Sequence, residues 1–360
     1  MAACGQTYNQ SLGNEWNRWA MVCPVYVQNT VTGKWRAPQK VPFYNAKCKT
    51  TNELMAFSSD ATTLVIAAIH YPFFSKSRNA RQFVEAKVYV RNAAGGYATQ
   101  TILRQGKALP RGRGAGILSV AVSLSADGNH LALGIPQLND AAGGACVYSR
   151  SNGEWLQPCT ILQGSEAENS RSGSGVAISG NGQVLAVASF VGAGTVWIFR
   201  RTGATWSQTD KLTGSDDWQF GTLDGAVALN FDGNTLAFGG AAYNMRGDTC
   251  SILVFRNVNS VWLPKEVFGK GTFNNYFFGN HIDLSNSGRT MVVATTSPTR
   301  PVVFFFQNST WVQDGDDSLK HSPVDGVYGT YPVAISGDGA TIGVTRFSAG
   351  DVAIFKGLNL

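Results

Sequence analysis

The chain has 360 residues, of which 44% are hydrophobic and 14% are charged, and its formal net charge is +6. This balance excludes an intrinsically disordered chain, because such chains combine low hydrophobicity with high net charge. No stretch approaches the ~20 consecutive apolar residues that a membrane-spanning helix needs, so membrane insertion is not expected.

The N-terminus reads Met-Ala-Ala-Cys-Gly-Gln-Thr. It has neither the basic region nor the apolar core of a secretory signal. We therefore favour an intracellular protein or a component of a virus particle, with earlier removal of a leader as the alternative.

The charge is unevenly distributed along the chain. Residues 1–120 contain 15 lysine and arginine residues against 4 acidic ones, whereas the remaining 240 contain 14 against 19. Such asymmetry can guide an acidic partner or a polyanion. The candidate interaction surface consists of five of these cations and a tryptophan from a later loop: Lys76, Arg78, Arg81, Arg111, Arg113 and Trp218. The alternative is that these are ordinary solvated loop residues.

An alternating strand that runs into a tight turn recurs along the chain, beginning near residues 54, 120, 174, 225, 280 and 332. Most of the turns contain Asp-Gly, Asn-Gly or Ser-Gly, which are hairpin signals. A second apolar strand follows, and then a hairpin whose return arm begins with an aromatic residue: Trp35, Tyr97, Trp155, Trp206, Trp262 or Trp311. These aromatic residues lie about 50–60 residues apart, a period typical of a propeller, a solenoid or an array.

The repeat predicts an all-β fold: a single β-propeller domain over residues 1–360, with four-stranded antiparallel blades. Because the chain starts and ends within a blade, we expect residues 1–53 to supply the strand that closes the ring. Seven blades fit if residues 1–22 add degenerate strands, and six fit if the N-terminal hairpin completes the last blade. We favour seven.

Cys146 and Cys159 flank the Asn152-Gly153 dipeptide, which fits a two-residue type I′ turn. If this turn sets the register, the two cysteines lie directly opposite each other at a non-hydrogen-bonded site, where side chains approach most closely. They can then form a cross-strand disulfide. The alternative, which we favour, is a pair of small buried hydrophobic residues.

Phe-Gly or Tyr-Gly stands ahead of three of the first strands: Phe220-Gly221, Phe278-Gly279 and Tyr328-Gly329. With the Gly-x-Val-x-Ile/Val-Phe pattern of residues 194–199, the chain resembles the FG-GAP family of β-propellers, to which the integrin α-subunit head belongs. The resemblance covers roughly residues 50–360 and implies the propeller fold. Many FG-GAP repeats carry a calcium loop of the type D-x-D-x-D-G. The turns here hold one acidic residue at most, so no structural calcium is expected.

Little in the sequence indicates catalysis. Four histidines are present, and no nucleophile elbow, zinc-binding helix or phosphate loop accompanies them. No cofactor or metal is therefore expected, and the protein is not expected to be an enzyme. The tryptophans that recur in the hairpins are interpreted as packing between blades, whereas Trp218 lies in a loop and suits docking of a sugar or peptide.

We therefore expect a non-catalytic binding or assembly propeller, and within that class a structural or attachment component of a larger particle, such as a virus capsid or surface protein. Its partners would be proteins, in some cases acidic, and glycans are a further option. The alternatives are a lectin-like adhesin and a propeller enzyme such as a glycoside hydrolase. Nucleic-acid binding through residues 34–113 is disfavoured.

Overall fold

The computed structural model describes residues 5–8, 19–25, 39–43, 55–70, 83–105, 120–167, 170–214, 220–242, 251–263, 266–268, 279–294, 301–314, 332–346 and 351–356. Over these residues the chain forms 28 strands and one four-residue helix, α1 (Leu138–Ala141), which lies between β9 and β10 as defined below. None of the described helices could therefore cross a bilayer.

The strands form antiparallel sheets in chain order. An N-terminal sheet consists of β1 (Gly5–Tyr8), β2 (Trp19–Val25) and β3 (Gln39–Phe43). Blade 1 consists of β4 (Met55–Phe57), β5 (Thr63–His70), β6 (Phe83–Arg91) and β7 (Tyr97–Arg104). Blade 2 consists of β8 (Ala121–Leu124), β9 (His130–Gly134), β10 (Ala145–Ser151), β11 (Glu154–Trp155) and β12 (Thr160–Leu162).

The remaining blades repeat this order. Blade 3 consists of β13 (Gly175–Ile178), β14 (Val184–Ser189), β15 (Thr195–Thr202) and β16 (Thr205–Thr213). Blade 4 consists of β17 (Phe220–Leu229), β18 (Thr235–Ala242), β19 (Ser251–Val258), β20 (Val261–Trp262) and β21 (Glu266–Phe268). Blade 5 consists of β22 (Ile282–Leu284), β23 (Thr290–Val293), β24 (Val302–Gln307) and β25 (Thr310–Gln313). Blade 6 consists of β26 (Val333–Ile335), β27 (Thr341–Arg346) and β28 (Asp351–Lys356).

Each blade begins with a hairpin whose turn is held by local hydrogen bonds. In blade 2 the Ser125 hydroxyl donates to the Asp127 carboxylate (2.5 Å) and accepts the backbone N–H of His130 (3.0 Å). The Asp127 carboxylate also accepts the backbone N–H of Asn129 (2.9 Å). The N–H five residues further on is accepted in the same way in the other blades by Ser58, Ser179, Asn230, Ser285 and Ser336. The tight turns predicted from the sequence are thus confirmed.

Backbone hydrogen bonds join the turn of each blade to the turn of the next. The N–H of Ser59 in blade 1 donates to the carbonyl of Ala126 in blade 2 (2.8 Å), and the Ala126 N–H donates to Gly180 in blade 3 (2.9 Å). The links from blade 3 to blade 6 run from Asn181 to Phe231 (3.0 Å), from Phe231 to Asn286 (3.1 Å) and from Asn286 to Gly337 (2.9 Å). Neighbouring blades are therefore fixed to each other by main chain as well as by side chains.

The hydrophobic core lies between neighbouring blades. Val122 and Leu124 of β8 pack with residues of blade 1, whereas Ala121, on the opposite face of the same strand, packs with Val176 of blade 3. The first strands of successive blades lie against one another, so the first strand is the innermost and the last is the outermost. This face-to-face stacking of small sheets is a β-propeller.

Six blades follow this plan in the described part of the chain, which corrects the favoured count of seven. The N-terminal sheet pairs only within itself there, and its segment of the sequence has no Ser-x-Asp-Gly turn to interlock with the turns of the blades. Among the described strands, β28 has β27 as its only neighbour, so the expected closure of the ring is not seen. The extent of a single domain over residues 1–360 stays a prediction.

Candidate interaction surface

The residues that the sequence singled out for binding are Lys76, Arg78, Arg81, Arg111, Arg113 and Trp218. All six lie outside the residues that the structure describes. Their part in binding therefore stays a prediction.

Cys146 and Cys159 form a disulfide whose Cα atoms are 5.6 Å apart, which corrects the favoured interpretation as two small buried hydrophobic residues. The predicted register holds only next to the turn, where Arg150 lies opposite Trp155. Further along, Cys146 lies opposite Ile161 and not opposite Cys159, because the returning arm leaves the ladder around Pro158, which has no N–H to donate. The bond thus joins the two residues that the turn register pairs, although Cys159 lies two positions away from the residue opposite Cys146 in the observed ladder.

The hairpin tryptophans pack between blades, as the sequence predicted. Trp155, Trp206 and Trp311 are buried in the cores shared with the preceding blade. The indole N–H of Trp155 also donates to the side chain of Gln100 in blade 1 (3.2 Å). Trp197, which lies outside this repeated position, is fully buried and donates to the carbonyl of Ser165 (2.9 Å). These four tryptophans are therefore not docking residues.

The outer hairpin of blade 4 carries an apolar surface that the other described hairpins lack. Val258 and Val261 lie opposite each other across the turn at Asn259 and Ser260, and they are 46% and 61% exposed. Leu263, in the next position on the same face, is 43% exposed. The pairs equivalent to Val258 and Val261 are polar in blades 2, 3 and 5: Ser151–Glu154, Thr202–Thr205 and Gln307–Thr310.

This apolar surface faces blade 5. Ile252 and Val254 of β19 pack into the core shared with blade 5, and side chains alternate along a strand, so Arg256 and Val258 point the same way. Trp262 lies on the opposite face and packs against the core shared with blade 3. The guanidinium carbon of Arg256 is 3.8 Å from the centre of the Phe306 ring of blade 5. We call the space between these two hairpins, lined by Arg256, Val258, Val261, Leu263 and Phe306, the outer cleft.

The outer cleft is electropositive. Burial lowers the pKa of Arg256, the neighbouring Arg289 lowers it further, and Glu266 opposes the shift. Arg289 is exposed, and its guanidinium makes no hydrogen bond to another described residue. Two adjacent cations favour the binding of an anion between them.

Two ionisable residues lie on the innermost strand of blade 5, where other blades have small residues. Asp283 accepts the backbone N–H of Leu284 (2.9 Å) and, from blade 6, that of Ile335 (2.8 Å). Burial raises the pKa of Asp283 to about 6, and burial lowers the pKa of His281 to about 4. In blade 2 the equivalent of Asp283 is Ser123, which accepts the N–H of Ile178 in blade 3 (3.0 Å). Asp283 therefore belongs to the contact between blades.

The turn carboxylates are engaged within their own turns. Hydrogen bonds from Ser125 and Asn129 lower the pKa of Asp127 against the opposing effect of its partial burial, and the pKa values of Asp60 and Asp338 are lowered by equivalent bonds. Among the described residues, no three His, Cys, Asp or Glu side chains come together to hold a metal ion. The absence of structural calcium stays a prediction.

Chelation is expected to leave the stability of the protein unchanged, because hydrogen bonds within the described turns already engage their polar side chains. The measurement is the unfolding temperature by differential scanning fluorimetry with and without 1 mM EDTA, with calcium restored as the control. A fall in the unfolding temperature that calcium reverses would contradict this prediction.

No protein-family model and no curated protein matches the sequence. Solved structures do. The β-propeller domain of Cps50 (Swd1) from Myceliophteria thermophila has a TM-score of 0.57 at 10% identity, over 94% of this chain and 91% of that one. A chain of the mitotic checkpoint complex has a TM-score of 0.55 at 13% identity, over 95% and 85%. The GH74 enzyme of Niastella koreensis has a TM-score of 0.51 at 13% identity, over 95% of this chain and 51% of the enzyme.

These likenesses establish the β-propeller fold. At 10–13% identity they establish nothing finer. The narrower resemblance to the FG-GAP family stays a prediction, since no family model matches the chain.

Proposed function

We propose that this β-propeller is a non-catalytic binding and assembly protein that docks protein partners on its outer rim. The supporting observation is where the exposed apolar side chains lie. Six of the eight large hydrophobic residues that are exposed among the described residues belong to the outer hairpins and strands of blades 2, 4 and 5: Leu156, Ile161, Val258, Val261, Leu263 and Val312. Exposed apolar groups that lie side by side, as Val258 and Val261 of blade 4 do, are typical of protein interfaces.

The proposal has a finer form, in which the propeller is a structural or attachment component of a larger particle, such as a virus capsid or surface protein. Its support is the division of charge along the sequence, which lets copies or partners dock in a defined orientation. One of the similar solved structures is a chain of a multiprotein complex, which is compatible with a role in assembly.

A glycoside hydrolase is the alternative, because one similar solved structure is a GH74 enzyme. That chemistry requires two carboxylates that face each other across a substrate. Several of the described carboxylates are used otherwise: Asp60 and Asp127 in turns, Asp283 between blades, and Glu85 with Arg104 at 2.7 Å. This use favours the binding role over the enzyme.

The test replaces apolar rim residues by the polar residues that blade 3 carries at the same positions. The variant Leu156→Ser/Val261→Thr/Val312→Ser copies Ser207 and Thr205, and Ser207→Ala is the control. Peptides selected from a random phage library on the wild type are expected to bind the triple variant at least about tenfold more weakly, and the control unchanged.

A glycan array at low and physiological salt completes this test. If no peptide is enriched and saccharide binding survives physiological salt, the protein-docking proposal is wrong and the lectin-like alternative replaces it. If selected peptides bind the triple variant as well as the wild type, the outer rim is not the docking surface.

A further inference from the structure

We propose that the outer cleft between blades 4 and 5 binds a short acidic segment of a partner protein, in which carboxylate side chains stand next to apolar ones. This inference rests on the proposed docking function and specifies its site and the chemistry of the partner.

The apolar half of the recognition comes from blade 4. Val258, Val261 and Leu263 lie side by side on the face turned towards blade 5, each exposed by more than two fifths. Burying these side chains under a partner would remove their apolar surface from water, which favours binding. A partner without apolar side chains would leave this surface in contact with water.

The charged half comes from the two arginines. The Arg256 guanidinium is stacked on the Phe306 ring, which holds it in place and leaves its edge free to meet a carboxylate in its own plane. Arg289 lies beside Phe306, whose backbone N–H donates to the Arg289 carbonyl (2.7 Å), and its charge lowers the pKa of Arg256. A carboxylate placed between the two cations would relieve their repulsion, and a cationic partner would increase it.

The combination is specific to blade 4 among the described hairpins. Blade 3 has a cation at the equivalent of Arg256, namely Arg200, but Thr202, Thr205 and Ser207 replace the apolar residues. Blade 5 has Phe305 and Val312 at equivalent positions, without a cation. Blade 3 therefore supplies a control within the same molecule: a cation in the same place without the apolar surface.

The test is the fluorescence anisotropy of a labelled nonapeptide of alternating aspartate and leucine, titrated with the full chain in 150 mM salt. Matched peptides contain lysine in place of aspartate, or serine in place of leucine. We expect binding of the aspartate–leucine peptide only. Val258→Thr/Val261→Thr and Arg289→Gln are each expected to weaken it at least tenfold, whereas Arg200→Gln leaves it unchanged.

Several results would overturn the inference. It is wrong if the aspartate–leucine peptide fails to bind at concentrations up to about 1 mM, if the aspartate–serine peptide binds equally well, or if Arg200→Gln weakens binding as much as Arg289→Gln. Self-association of the wild type that is lost in Val258→Thr/Val261→Thr would assign the cleft to a second copy of the chain instead. Near-ultraviolet circular dichroism of each variant verifies that it is folded.

The two levels of the proposal fail separately. If library-selected peptides depend on the apolar rim but the aspartate–leucine peptide does not bind, docking on the rim stands and the acidic segment is wrong. If neither binds, both are wrong.

Discussion

Gly173→Ala is expected to lower the free energy of unfolding by roughly 3–5 kcal/mol. Gly173 lies in the connection from blade 2 to blade 3. Its backbone has φ +86°, a left-handed conformation that costs a side-chain-bearing residue about 1–2 kcal/mol. A Cβ at this position would also overlap the carbonyl oxygen of Gly144 and lie 2.8 Å from the nitrogen of Ile135.

Neither of those groups can move away easily, because three backbone segments meet there. The Gly144 N–H donates to Ser172 (2.8 Å), the Ile135 N–H donates to Gly144 (2.8 Å), and the Gly173 N–H donates to Ala188 of blade 3 (2.9 Å). A displacement that makes room for the methyl group breaks at least one of these buried hydrogen bonds.

Gly153→Ala is the matched control. Gly153 has nearly the same φ, +83°, but a Cβ there meets nothing within 4 Å. Gly153→Ala is therefore expected to lower the free energy of unfolding by about 1–2 kcal/mol, which is the cost of the left-handed backbone conformation alone. Urea unfolding followed by tryptophan fluorescence measures both variants. Equal losses would mean that the meeting of the three segments contributes nothing, whereas a Gly173→Ala chain that does not fold would agree with the prediction.

The elements that the sequence predicted well are those determined by neighbouring residues. The Ser125-Ala-Asp-Gly128 turn closes on itself through bonds that span five residues, so its pattern is visible without the rest of the chain. The sequence also predicts that the hairpin tryptophans pack between blades. A residue that recurs at the same place in successive blades must meet the same surroundings each time.

The elements that the sequence did not predict depend on distant segments or on irregular residues. Gly173 is required only because residues 142–144 pass beside it. Cys159 left the expected register because Pro158 interrupts the ladder, which a count from the turn cannot include. The outer cleft could be recognised only once the structure showed which face of β19 meets blade 5. The Val-Asn-Ser-Val sequence of residues 258–261 nevertheless shows two apolar residues around a turn where other blades are polar, and this signal could have indicated it.

His281 and Asp283 have opposite effects on how the free energy of unfolding depends on pH. His281 and Asp283 share one face of the innermost strand of blade 5, because they are two residues apart. Of the strands packed against β22, β23 and β26 carry no titratable side chain between Thr290 and Val293 or between Val333 and Ile335, whereas β17 carries Asp224. Each group has its pKa shifted by about two units, and each such shift corresponds to about 3 kcal/mol.

The signs of the two contributions are opposite. The pKa of His281 falls to about 4 on folding from 6.5, so the unfolded chain binds more protons between these values and stability rises with pH across that window. The pKa of Asp283 rises to about 6 from 3.8, so its contribution is fully present below pH 3.8 and is lost as the pH rises through 6. In the wild type the rise in stability from His281 and the fall in stability from Asp283 nearly cancel between pH 4 and 6.

Each single substitution is therefore expected to leave only the pH dependence of stability that the other group contributes. Relative to the wild type, His281→Ala should lose about 3 kcal/mol of stability between pH 4 and 6.5, and Asp283→Ala should gain about 3 kcal/mol between pH 4 and 6. Alanine is the residue that β13 and β17 carry at the position of Asp283, as Ala177 and Ala228.

Urea unfolding at half-unit steps of pH measures these differences. The turn carboxylates Asp60, Asp127 and Asp338, whose lowered pKa values stabilise the fold as the pH rises, are common to all variants and drop out of the comparison. The double variant is expected to follow the wild type, since it lacks both slopes. Single variants that run parallel to the wild type from pH 4 to 6.5 would mean that neither side chain titrates inside the fold as its burial between blades 5 and 6 requires.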